Sequence, residues 1–152
     1  MDYTVTMTAS NHALSGSLIG AFLPLPIALP LAFVSHFVFD SLPHYGIERS
    51  KRSTSKTYRL IIACDLAIGI TGGVMLAIFH KWNMLLCGTV AYAPDLTWVW
   101  YYFRQGRNLN LEVRDRFMRF HRAIQFERPW GLIPETIFML VLLPIFIIKA
   151  LQ

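Results

Sequence analysis

Apolar residues run in long blocks along this chain, and the polar residues collect between them. The first block, Ala13 to Phe39, is interrupted by Pro24, Pro26 and Pro30. Prolines so close together cannot sit inside one regular helix, because each removes a backbone donor and crowds the preceding turn. The pattern therefore predicts a helix over 11–23, a tight turn and a second helix over 27–42. At 1.5 Å per residue each is roughly 18–24 Å long, short of a hydrocarbon core of roughly 30 Å. A re-entrant or short helical hairpin over 11–42 fits this better than one kinked span, the alternative that would put His12 far from His44.

Three later blocks, 57–79, 84–103 and 130–151, are long enough to cross a bilayer, the last despite Pro134 and Pro144. Gly69, Gly72 and Gly73 give the first of them a small-residue packing face. The second ends in Trp98, Trp100, Tyr101 and Tyr102, an aromatic group suited to a membrane interface. Between them, Val113, Phe117, Phe120 and Ile124 repeat at helical spacing, with Arg116, Arg119 and Arg122 on other faces. This predicts an amphipathic helix over 111–128, lying on the membrane or capping the bundle. The expected fold is all-α: one polytopic membrane bundle over 1–152, with an N-terminal hairpin, three full spans and one amphipathic cytoplasmic helix.

Composition agrees with that picture. Hydrophobic residues are 55% and charged residues only 15% of the 152, against about 25% charged in ordinary soluble domains. The net charge of +5 raises the question of nucleic acid. Of the 14 Lys and Arg, however, five fall between Arg49 and Arg59 and seven between Arg104 and Arg128. Basic loops flanking apolar spans are what the positive-inside rule produces, so membrane lipids are the expected partner and nucleic acid is not. The expected location is the cytoplasmic (inner) membrane, multi-pass, with both basic loops cytoplasmic. Cys64 and Cys87 read as inert packing residues, and the lack of a Cys-x-x-Cys pair argues against cysteine-ligated zinc.

Candidate chemistry starts with the row His36, Asp40 and His44. Positions four apart share a helical face, so His36 and Asp40 project together and His44 follows one turn on, past Pro43. Such groups are costly at membrane depth unless paired, and a divalent cation is the simplest partner. Asp65 and Asp95 each lie eight residues from the cytoplasmic end of their spans, about 12 Å deep. His36 reaches a similar depth in the hairpin, and His12 stands near His44. The expected ligands are thus His12, His36, Asp40, His44, Asp65 and Asp95, with Asp65 or Asp95 as bridging ligand or general base. Plainer readings exist: Asp65 pairing with Arg59, Asp95 capping a helix after Pro94, and His12 as an interfacial histidine. His121, Gln125 and Glu127 read first as incidental polar residues of a surface helix, and second as a lid supplying a ligand or substrate contact. Glu135 reads as a supporting acceptor or an interfacial charge, and His80 as a loop residue on the opposite side.

His12 followed by Ser15-Gly16, the row from His36 to His44, and Ala93-Pro94-Asp95 together resemble the YdjM-type inner-membrane proteins, a bacterial and archaeal family described as metal-dependent hydrolases. The row also resembles the His-x-x-x-Asp and Pro-x-His elements of zinc-dependent phospholipases C, with shorter spacing after Asp40. The first resemblance implies His12, His36, Asp40, His44 and Asp95 as ligands. The chain departs from that pattern after Asp95, continuing Leu96-Thr97-Trp98, and it lacks the later His-Arg-Gly and His-Ser pairs.

The expected activity is hydrolysis of a phosphoester or ester, with a lipid-linked substrate as the natural choice. One or two transition-metal ions would serve it, zinc first, then manganese or iron. Arg49, Lys51, Arg52 and Arg114 would hold an anionic headgroup. The alternatives are an ion or metal transporter and a non-catalytic membrane protein with a structural metal.

Overall fold

The computed structural model describes residues 8–47, 54–105 and 115–152. It is all-α, with helices α1 (Ala9–Phe22), α2 (Leu25–Asp40), α3 (Lys56–Ile78), α4 (Trp82–Arg104), α5 (Arg116–Ile124) and α6 (Leu132–Leu151). The expected hairpin is α1 and α2. Leu23 is extended, Pro24 caps α2, and Pro26 falls within its first turn, where a missing N–H costs nothing. Arg49, Lys51, Arg52, Arg114 and the start of the predicted 111–128 helix lie outside the described residues.

α1 is the hub. It packs against α4, α2, α6 and α3, and Ser10, Asn11, His12 and most of the residues from Leu14 to Gly20 are buried. Its contact with α4 depends on missing side chains. A Cβ on Gly20 would sit 2.5 Å from the Asn83 carbonyl, and one on Gly16 would strike Cys87 and Ala91. Gly16 and Gly20 are four apart, the small-xxx-small spacing that lets two backbones approach closely.

The exterior is as apolar as the interior is polar. On α3, Leu60, Leu66, Ile70, Val74 and Ile78 are all more than half exposed, as are Ile133, Ile137, Leu140 and Val141 on α6. Among the described residues, two helical stretches are long and apolar enough to cross a membrane, Lys56–Ile78 and Pro129–Leu151. The stretch expected as a span over 84–103 is helical as α4 and equals α3 in length, but with Asn83, Thr89, Tyr92, Asp95 and Arg104 in it α4 does not join that pair.

α3 and α4 meet at a tight corner where His80 takes a positive φ of 53° and Lys81 N donates back to the Leu76 carbonyl, a left-handed helix stop. His80 is exposed there, as expected of a loop residue. At the other end, β1 (His44–Tyr45) and β2 (Glu127–Arg128) form a two-stranded parallel ladder, pairing His44 with Glu127. The Phe126 amide donates to the Asp40 carbonyl, so the end of α2 is tied to the chain that leaves α5. Gly131 lies against the His44 carbonyl, where a Cβ has no room.

Candidate metal centre

Five side chains from four helices converge beside α1. His12 comes from α1, His36 and Asp40 from α2, Asp95 from α4 and His121 from α5. His12, His36, Asp40 and His121 are fully buried, and Asp95 is 5% exposed. Two sets, His12/His36/Asp40 and His36/Asp95/His121, offer donor atoms within 4.8 Å of one another, so these groups can hold a metal ion.

The helical row delivers what its spacing promised. His36 Nε2 lies 3.1 Å from Asp40 Oδ2, one turn along the same face. His12 Nε2 approaches Asp40 Oδ1 at 3.2 Å, and His121 Nε2 approaches Oδ2 at 2.8 Å. Asp95 stands opposite, its oxygens 3.8–4.0 Å from the same three nitrogens. A tetrahedral ion with bonds near 2.0–2.1 Å holds its ligands roughly 3.3–3.4 Å apart, and the observed spacings bracket that value.

Hydrogen bonding fixes one imidazole. The Ala91 carbonyl lies 2.8 Å from His36 Nδ1, so that nitrogen donates and Nε2 carries the lone pair. Nε2 then points at His121 Nε2, 2.9 Å away. Both Asp95 oxygens, Asp40 Oδ1 and His12 Nε2 are buried without a hydrogen bond among the described residues. Buried polar atoms are rarely left so, and a carboxylate with neither oxygen paired is the strongest exception here. The donor set of three imidazoles and two carboxylates fits a borderline transition metal better than calcium or magnesium.

Not every expected ligand joins the cluster. Asp65 caps α1 from the side, accepting from the Ala9 and Ser10 amides at 3.0 and 2.8 Å. Its oxygens are taken by helix-terminal donors, and the alternative pairing with Arg59 is not what engages them. Glu135 completes the same cap, accepting from the Thr8 amide at 2.7 Å and from the Tyr45 amide at 3.3 Å. His44 is buried in β1, its Nδ1 donating to the Leu42 carbonyl, and the chain turn after Asp40 carries it off the shared face. Gln125 follows the end of α5, and Glu127 is buried in β2.

His121 enters from the amphipathic helix. Asp115 starts α5 by accepting from the Met118 amide at 2.8 Å and from the Tyr101 hydroxyl. These bonds hold the Asp115 carboxyl below the ordinary carboxylate range. The inward residues are Met118 and His121, whereas Phe117 and Phe120, part of the predicted apolar stripe, remain exposed. The signal for His121 was its position three residues after Met118 and four after Phe117, at the edge of the apolar stripe, where its ring packs 5.9 Å from that of Phe117.

Compared with protein families, with curated proteins and with solved structures, the chain matches none.

Proposed function

We propose that the chain is a multi-pass protein of the cytoplasmic membrane whose metal centre, held by His12, His36, Asp40, Asp95 and His121, hydrolyses a phosphoester or ester. The carrying observation is the convergence of three imidazoles on two buried carboxylates, one of which has both oxygens without a hydrogen bond. The likeness of the His36–His44 row and of Pro94-Asp95 to the YdjM-type proteins supports the same reading. When bound, a transition-metal ion supplies Lewis acidity toward a water and a phosphoryl or carbonyl oxygen.

The chain's own residues divide the remaining work. Asp40 holds the centre together through contacts with all three imidazoles, and the Ala91 carbonyl orients His36. Asp95 is the most weakly engaged donor and the one with residual exposure, which suits it to accept a proton from an incoming water.

Full burial of four of the five donors favours a second reading, a structural metal, because closed sites with only protein ligands hold folds together. Transport is less well supported, since Leu66 to Ile78 carries only Thr71 as a hydrogen-bonding side chain.

The deciding measurement is metal content followed by turnover. Purified wild-type protein should carry a transition metal, and His36→Ala with Asp40→Ala should lose it at least about tenfold. Absence of metal in the wild type, or retention in the double variant, overturns both metal readings. Bound metal with no hydrolysis of phosphomonoester, phosphodiester or carboxylic ester probes in vesicles leaves the structural one.

A further inference from the structure

A second cavity lies on a different face of α1. It is a cleft of about 270 Å³ between α1, α3, α4 and α6, and none of the five donors of the metal centre lines it. Ser10, Ala13 and Ser17 face it from α1, spaced by three and seven residues along one helical face.

The cleft exists because α3 withholds side chains. Gly69, Gly72 and Gly73 line it, and a Cβ on Gly69 would meet nothing within 4 Å. Along α3 it extends from Asp65 to Leu76, roughly 16 Å at the helical rise. Its far end is hydrocarbon, with Leu76, Leu85 and Phe146. Its near end is polar but spent, since both Asp65 oxygens already accept from α1 amides. One group there is left over. The Ser10 hydroxyl is 2% exposed and makes no hydrogen bond among the described residues.

We infer that the cleft binds one acyl chain of a phospholipid, whose ester carbonyl accepts from Ser10 Oγ. The apolar length requires a hydrocarbon tail, and the leftover donor requires an acceptor at one end. A lipid has both, and the exposed Leu66 and Ile70 beside the cleft place its mouth on the apolar exterior. The inference rests on the membrane reading of α3 and α6, and not on the metal or on hydrolysis.

The test uses the full chain in vesicles of phosphatidylcholine carrying a photoactivatable diazirine in one acyl chain. Labelling should concentrate on cleft-wall residues such as Leu85, Leu76 and Phe146. Gly69→Phe should cut that labelling at least about fivefold, while Val74→Phe, exposed on α3 outside the wall, should leave it unchanged. Ser10→Ala should weaken retention about fivefold, the equivalent of one ordinary hydrogen bond. If Gly69→Phe does not fold, the wild-type labelling map and Ser10→Ala decide. Labelling spread evenly over the outer faces of α3 and α6 overturns the cleft but keeps the membrane reading, and no labelling anywhere overturns both. A disulfide between two copies through Gly69→Cys also overturns it, by assigning the face to a second protomer.

Discussion

A single backbone carbonyl decides what His36 can do. With Nδ1 donating to Ala91, its Nε2 has only a lone pair to offer, directed at His121 Nε2 and Asp40. An acceptor facing a second imidazole nitrogen and a carboxylate needs either a proton between them or a cation. His44 makes the useful contrast, because it is equally buried and belongs to the same sequence row, yet its ring is turned to the Leu42 carbonyl. His121→Ala should therefore weaken metal binding about 10–100-fold, and His44→Ala should change it less than about threefold, read by competition with a chromogenic chelator. Equal losses in the two variants would mean that the row His36–Asp40–His44 acts as one unit after all. The affinity of the wild type should fall as pH falls, because protons compete for the same imidazole and carboxylate lone pairs and binding releases them.

The apolar helices were legible from proline placement and block length, whereas the predicted 111–128 helix ends at Ile124 and gives way to β2 at Glu127–Arg128. The predicted 27–42 and 57–79 become Leu25–Asp40 and Lys56–Ile78, shifts of the size that fraying ends produce. The His36–Asp40 pairing was legible because helical spacing dictates it. The burial of His121 was not, because a helix lying on the membrane and one capping the bundle place it alike, at the edge of the apolar stripe. Here His121 is fully buried, while Phe117 and Phe120 stay partly exposed and pack on Phe37. Nor does spacing show how α1 begins. Thr8 supplies no side-chain cap, and the Thr8, Ala9 and Ser10 amides are instead taken by Glu135 and Asp65, 127, 56 and 55 residues away. Such caps depend on tertiary contact, and their loss leaves buried amides unpaired. Asp65→Ala should cost about 1–3 kcal/mol of stability, read as a lower melting temperature in detergent. Metal bound per folded molecule should stay at the wild-type level. Loss of metal from the folded variant would return Asp65 to the ligand set.

At the scale of the whole molecule, polarity is inverted. Buried positions include Ser10, Asn11, His12, His36, Asp40, Asp95 and Glu135, while large aliphatic side chains cover the outside of α3 and α6. In water that surface would be an aggregation liability, and in a bilayer it is the low-energy arrangement. The chain's order then sets a direction. α3 and α4 are joined by the short corner at His80 and Lys81, so the corner and the far ends of the two helices lie on opposite sides if both cross. The Lys and Arg flank those far ends, between Arg49 and Arg59 and between Arg104 and Arg128, and under the proposed membrane reading the positive-inside rule assigns that side to the cytoplasm. On that reading the His/Asp cluster belongs to it, because Asp40 closes α2 there and α5 lies between α4 and α6. Single cysteines at Ser50, Lys81 and Gln105, in a Cys64→Ala, Cys87→Ala background, read this out directly with an impermeant maleimide on intact cells. Lys81→Cys should label before permeabilisation, and Ser50→Cys and Gln105→Cys only after it. Labelling of all three from one side would mean that α3 and α4 enter and return without crossing, leaving α6 as the sole span among the described helices.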